Sequence, residues 1–287
     1  MADAKRRNVR RVALGTVGAG LAWLLAVWPP PVWWRNHWPR CTAMMRLRAD
    51  TVSRSGCPPV HPSAVRTIPP VLQRMVIIGE DSRFRTHHGI DPEEIADALG
   101  LERGKGVLPA IAAAWRRRDR LRGASTITQQ LAKNLYLSPS RNPLRKLKEA
   151  VTALRLELAL SKDRILELYL SVAEWGPGIW GADAASRAYF DVSLPRLDEE
   201  QAAALAATLP HPRTSNPAYR AERMVARRNL ILARYHGRDV YIPPAEEGDT
   251  VPAITPVIVP PVDSLKVQLP VTVDTTQDTT RIQADSS

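Results

Sequence analysis

Behind the breaker pair Pro69 and Pro70, the apolar residues Val71, Leu72, Met75, Val76 and Ile78 recur at helical spacing. This predicts a helix with one apolar face that leads through Gly79 into Glu80. At about 100° per residue, Glu80 falls at the edge of that face. An acid so placed sits half in apolar surroundings and half toward a cleft, and partial desolvation lifts a carboxylate pKa toward the range useful for general acid or base work. Asp91-Pro92-Glu93-Glu94 opens the next helix, with an Asp N-cap, a Pro in the first turn and acids facing the positive end of the dipole. Gly100 stops it, and the weakly periodic, charged stretch from Leu101 to Leu121 reads as a mobile connector. Asn142 and Pro143 start a further helix, in which Leu144, Leu147, Val151, Leu154 and Leu158 alternate three and four apart as the expected buried seam. Glu149 points away from that seam and shares a face with Arg145 one turn earlier.

The pattern continues with an amphipathic helix from Lys162 to Leu170, a glycine-punctuated stretch from Trp175 to Gly181, and a new helix reaching Tyr189 and Phe190. Asp198 and Gln201 form the capping box of an alanine-rich helix that Pro210 closes. A last helix, about Ala218 to Tyr235, offers Met224, Val225, Leu230 and Ile231 to the core and many arginines to the outside. From about Pro243 to Ser287, Pro, Val, Thr and Asp dominate without helical periodicity, as expected of a disordered extension. The fold class is mostly α.

At the other end, Lys5, Arg6, Arg7, Arg10 and Arg11 precede an uncharged apolar run from Val12 to Trp28 that ends at Pro29. The run is short for a bilayer span and slightly long for a signal-peptide core. No small-x-small cleavage site precedes the prolines, and Trp28, Trp33 and Trp34 suit an interfacial aromatic belt. The expectation is therefore an uncleaved single-pass anchor in the cytoplasmic (inner) membrane, with the N-terminus inside and the rest of the chain exported. With 287 residues and 44 % apolar content, the exported part can hold a real core. Cys41 and Cys57 lie where a disulfide is chemically permitted; a bond and buried free thiols are both open. The net charge of +11, concentrated in part at Arg116, Arg117, Arg118, Arg120 and Arg122, fits an anionic membrane or a pyrophosphate. Export argues against nucleic acid.

Two stretches carry the candidate chemistry. Glu80, Asp81, Phe84, His87, Gly89 and Asp91 have the form Glu-Asp-x-x-Phe-x-x-His-x-Gly-x-Asp, and Gly123 to Asn134 reads Gly-Ala-Ser-Thr-Ile-Thr-Gln-Gln-Leu-Ala-Lys-Asn. Arg145-Lys146-x-x-Glu149 follows, and then Ile165-Leu166-Glu167 and Ala173-Glu174-Trp175-Gly176. In these motifs the chain resembles the peptidoglycan glycosyltransferases, family 51 of the glycosyltransferases, and most closely their monofunctional members. The match runs from about Arg66 to Tyr235, and no Ser-x-x-Lys, Ser-x-Asn and Lys-Thr-Gly set of a transpeptidase appears in order. Ser171 departs from the pattern, which usually has Asn there.

The resemblance implies a lysozyme-like glycosyltransferase domain behind the N-terminal transmembrane helix. The expected organisation is a basic N-terminus over 1–11, the anchor over 12–28, a membrane-proximal segment over 29–65, the domain over 66–242 and the tail over 243–287. It also implies the reaction: the 4-hydroxyl of an acceptor lipid II attacks the anomeric carbon of a growing glycan, with inversion and release of undecaprenyl pyrophosphate. Glu80 matches the base. Lys133, Arg141 and Lys148 match residues that hold the donor pyrophosphate, and Glu149 orients those cations or the sugar. Asp81, Phe84 and His87 shape the Glu80 loop, while Ser125, Gln129, Asn134 and Arg145 contact substrate. No cofactor is required and no dedicated metal site is visible, although Mg or Mn on the substrate pyrophosphate is compatible with this chemistry. The implied partners are lipid II, the glycan chain, the membrane and other cell-wall synthases. Two other readings fit part of the pattern. A muramidase or lytic enzyme also uses paired carboxylates, but its substrate carries no pyrophosphate to match the basic residues. A non-catalytic membrane scaffold would have no need of Glu80, Lys133 and Glu149.

Overall fold

The computed structural model describes residues 2–49, 56–58, 60–99, 125–137 and 142–243. The expected connector, the arginine cluster, Arg141 and the tail beyond Pro243 lie outside the described residues. The described elements are helices α1 (Ala2–Leu25), α2 (Ala43–Ala49), α3 (Pro70–Glu80), α4 (Pro92–Leu99), α5 (Ile127–Tyr136) and α6 (Pro143–Ala159), followed by α7 (Lys162–Val172). Strands β1 (Glu174–Gly176) and β2 (Ile179–Trp180) come next, then α8 (Ala182–Phe190), α9 (Glu199–Thr208) and α10 (Ala221–Tyr235), with short 3-10 turns at Pro31–Arg35, Val65–Thr67 and Leu194–Arg196. The class is mostly helical, as the periodicity predicts. The hairpin was hidden by its glycines: β1 and β2 pair antiparallel, Glu174 opposite Trp180 and Gly176 opposite Ile179, across a turn where Gly178 takes φ 77°.

Helix α7 runs through the centre. From Ile165 onward nearly every side chain is buried, with Leu166, Leu168, Tyr169, Leu170 and Val172 in the core together with Phe84 and Trp175. Such all-round burial marks a helix enclosed by others. Ser171, the departure from the motif, accepts a hydrogen bond from the Ser63 amide at 3.1 Å and so ties the segment before α3 to this helix. Helix α9 is buried through Ala202 to Thr208. Its small side chains let both α3 and α10 pack closely against it. The expected capping box is present: Asp198 accepts from the Gln201 amide at 2.8 Å and Gln201 accepts from the Asp198 amide at 3.2 Å.

Two expectations need correction. The leucine row of α6 is not a buried seam: Leu144, Leu147, Leu154 and Leu158 are 59, 51, 41 and 85 % exposed. The inward face instead carries Glu149, Thr152, Ala153, Leu156 and Leu160, which meet α5 and α7. Periodicity reveals a stripe but not the side it faces. Trp34 is a core residue rather than part of an interfacial belt, buried with its indole N–H donating to the Tyr136 hydroxyl at 2.5 Å. No helix among the described residues is long and apolar enough to cross a membrane. Helix α1 ends at Leu25, inside the uncharged run that extends to Trp28. From Val12 to Leu25 the helix rises about 21 Å at 1.5 Å per residue, short of the roughly 30 Å of hydrocarbon.

Helix α1 lies along the outer side of α6, where Arg155 donates to the Leu25 carbonyl at 2.5 Å. Beyond it, Cys41 and Cys57 are joined in a disulfide with Cα atoms 5.7 Å apart, within the range that a bridge requires.

Candidate active site

Helix α3 ends where the apolar face runs out, and it delivers Glu80 into buried surroundings with its side chain 5 % exposed. Gly79 makes this possible, since a Cβ there would come within 3.0 Å of Ile231 on α10. The following loop is bolted to the start of α5. Asp81 accepts from the Ile127 amide at 2.9 Å, and Thr126 donates to the Gly89 carbonyl at 2.7 Å. His87 Nδ1 accepts from the Gly89 amide at 3.1 Å, so Nε2 carries the proton and donates to Asp81 at 2.9 Å. Phe84 is wholly buried beneath this loop.

Asp81, His87 and Asp91 lie close enough together to hold a metal ion. Their ligand atoms are nevertheless engaged with protein. Asp91 caps α4 by accepting from the Glu93 and Glu94 amides at 3.0 Å and pairs with Arg83 at 2.7 Å. The three residues act as struts of the Glu80 loop.

Because the loop fixes α5, Gln130 stands beside Glu80. Its amide donates to Glu80 Oε2 at 3.0 Å, and its carbonyl oxygen accepts from the Tyr169 hydroxyl at 2.8 Å. Glu80 Oε1 has no hydrogen-bond partner among the described residues; Arg227 Nη2 on α10 lies 3.6 Å away. Burial pushes the Glu80 carboxyl above the ordinary range, against the pull of Arg227, the Gln130 hydrogen bond and Lys133. Burial also holds the Tyr169 hydroxyl well above its usual pKa, helped by the negative Glu80 and Asp81.

A second cluster forms at the segment that leads into α5. Glu149, buried on the inner face of α6, accepts from Arg145 at 2.5 Å on one oxygen and from Lys146 at 2.6 Å on the other. Lys146 also donates to Ser125 at 2.7 Å, which ties this cluster to the segment leading into α5. Lys148 lies elsewhere. Its ammonium sits 4.7 Å from the centre of the Trp23 ring on α1, and desolvation there lowers its pKa. Gln129 is taken up by the α5 capping box, each partner bonded at 3.1 Å to Thr126. Lys133 and Asn134 are half-buried further along α5.

The structure thus brings Glu80, Asp81, His87, Ser125, Lys133, Arg145 and Glu149 around α5, with Lys148 turned to α1 and Arg141 undescribed. Sequence reasoning missed Gln130, Lys146, Tyr169 and Arg227. The first two are neighbours of chosen residues within the same motifs, so the signal was present but the rotation about the helix was not. Nothing in the local sequence distinguished Arg227 from the other arginines of its helix.

A buried, uplifted carboxylate tied to the same helix as a set of fixed cations can remove a proton while charge builds on an anionic group, the arrangement of a group-transfer enzyme. The family comparison agrees. A family model described as transglycosylase matches residues 60–236, and the chain belongs to that family, an enzyme of the glycosyltransferase class. A biosynthetic peptidoglycan transglycosylase of Azoarcus sp. (strain BH72) is 37% identical over 236 residues, covering 79% of this chain and 94% of the relative. The protein of that name from Thiobacillus denitrificans is 40% identical over 225 residues, covering 76% and 89%. The one from Chromobacterium violaceum is 37% identical over 233 residues, covering 79% and 96%.

Proposed function

We propose that this chain is a peptidoglycan transglycosylase of cell-wall synthesis that polymerises lipid II into glycan strands on a lysozyme-like domain. The observation that carries the reading is the double attachment of α5: Gln130 bonds Glu80, while Ser125 at its start bonds the Lys146 partner of Glu149. One rigid element thereby links a base to a set of cations, as in-line displacement of a pyrophosphate requires.

In this reading Glu80 Oε1 takes the proton of the acceptor 4-hydroxyl. The hydroxyl oxygen bonds to the anomeric carbon as the bond to undecaprenyl pyrophosphate breaks on the opposite face, inverting the carbon. Lys133, Lys146 and Arg145 neutralise the departing pyrophosphate, and Glu149 holds the last two in place. The cationic surroundings of Glu149 suit phosphate oxygens better than a metal ion. A divalent cation, where present, would therefore be held by the pyrophosphate itself.

Membrane attachment belongs to the same reading. Val12, Leu14, Val17, Leu21 and Trp28 are exposed along and just beyond α1, and the leucine row of the adjacent α6 adds to that apolar surface. The short uncharged run would be accommodated by Arg10 and Arg11 reaching back to the headgroups of the inner leaflet. A disulfide between Cys41 and Cys57 suits an extracytoplasmic domain. Strands made here need crosslinking, so other cell-wall synthases are the partners to seek.

The test is polymerisation of labelled lipid II by the purified full-length protein in detergent, beside Glu80→Gln. Glycan chains from wild type and none from the variant are expected. Cleavage of preformed glycan without polymerisation would instead select the muramidase.

A further inference from the structure

The Arg227 guanidinium is held by two backbone carbonyls, neither of which needs the carboxylate it faces. Nη2 donates to Gly79, the residue before Glu80, and Nη1 donates to Pro243 at 2.6 Å. Its side chain is 13 % exposed. So anchored, Nη2 stands 3.6 Å from Glu80 Oε1, near enough for charge attraction and too far for a hydrogen bond. The other oxygen, Oε2, is already occupied by Gln130. Oε1 therefore faces a cation and, among the described residues, accepts no hydrogen bond.

We propose that Arg227 is a positioning residue for Glu80, a fixed counter-charge that holds the carboxylate ionised with Oε1 available to the acceptor hydroxyl. The inference rests on the polymerase reading above. Other groups act on Glu80 as well. Lys133 and Gln130 reach it from α5, Tyr169 lies beyond Gln130 on α7, and Asp81 follows it in the chain with a like charge. Helix α9, packed on α3, offers buried alanines, Leu205 and Thr208. Of the two cations, Lys133 is assigned to the substrate pyrophosphate and its charge is shared with it during turnover. Arg227, fixed to carbonyls, keeps its charge on Glu80 throughout. The groups that oppose it are the apolar burial of the pocket and Asp81, both of which favour the protonated acid.

The experiment measures lipid II polymerisation by full-length wild type, Arg227→Gln and Arg227→Lys across pH, with thermal melts to confirm folding. An opposite charge at this range lowers a carboxyl pKa by about one to three units, so the acid limb of kcat/KM for Arg227→Gln should move up by about that amount. Loss is then severe at low pH and shrinks as pH rises, with KM for lipid II unchanged. Arg227→Lys should keep its acid limb near that of wild type. Arg227→Met, which retains the buried stem, is measured in the same way if the Gln variant does not fold. A proportional loss at every pH with an unmoved limb, or no loss at all, overturns the inference while leaving the polymerase reading intact. A wild type that makes no polymer overturns both.

Discussion

Glu80 and Glu149 are similarly buried, yet their surroundings differ. Glu80 receives one neutral hydrogen bond, from Gln130 at 3.0 Å, and faces a cation at 3.6 Å. Glu149 is gripped on both oxygens, by Arg145 at 2.5 Å and Lys146 at 2.6 Å. A carboxylate with a free oxygen and costly burial is poised to gain and lose a proton. One locked between two cations is an organiser whose charge has already been used. The pair shows that residue type and burial do not define a catalytic role; the number and charge of the partners do.

The sharpest way to break this comparison is to remove each acid. Glu80→Gln should lower polymerisation by about 10²–10⁴-fold, the usual contribution of a general base, with the fold retained. Glu149→Ala should cost about 1–3 kcal/mol of stability in urea titrations, because the mostly buried Arg145 loses its charge-assisted partner while Lys146, 44 % exposed, can turn to water. If Glu80→Gln were the more destabilising of the two, the assignments would be reversed.

The pH dependence of stability sharpens the same contrast. Burial raises the folded-state pKa of Glu80 and also of Glu174, where Arg48 and Arg213 only partly offset it. Between the ordinary and the raised values, both carboxyls hold protons in the folded protein that the unfolded chain would release. Their contribution is therefore complete below the ordinary glutamate range and is lost as pH climbs through the raised values. Unfolding free energy from urea titrations should fall over that window, and Glu80→Gln should flatten the slope.

Smaller effects separate the lysines. Lys146→Met removes charge-assisted bonds and should raise KM for lipid II by roughly ten- to hundredfold. Lys148→Met, which removes only a contact with Trp23, should change stability by no more than about 0.5 kcal/mol. Equal effects from the two would erase the geometric distinction between them.

What the sequence revealed follows the range of the forces involved. The N-caps at Asp91, Asn142 and Asp198 were legible because a cap is made with amides two or three residues away. So was the apolar face that carries Glu80, since one helix defines it. The exposure of Leu144, Leu147, Leu154 and Leu158 was not legible, because a periodic row looks alike whether it meets a core or an outer surface. The choice of Lys146 over Lys148 turned on about 200° of rotation around α6, which only packing against α5 fixes. Arg227 was hidden for the same reason on a longer scale. Its partner Gly79 is 148 residues away, and only the packing of α10 on α3 joins them.

The central claim, that the protein holds Glu80 apart from its other acids as a base of raised pKa, is tested most directly by a carboxyl titration. Side-chain ¹³C resonances of labelled glutamates are followed with pH in wild type and in Glu80→Gln. The resonance that disappears in the variant is predicted to titrate above the ordinary glutamate range. If it titrates within that range or below it, the pocket does not tune Glu80 and the account is contradicted.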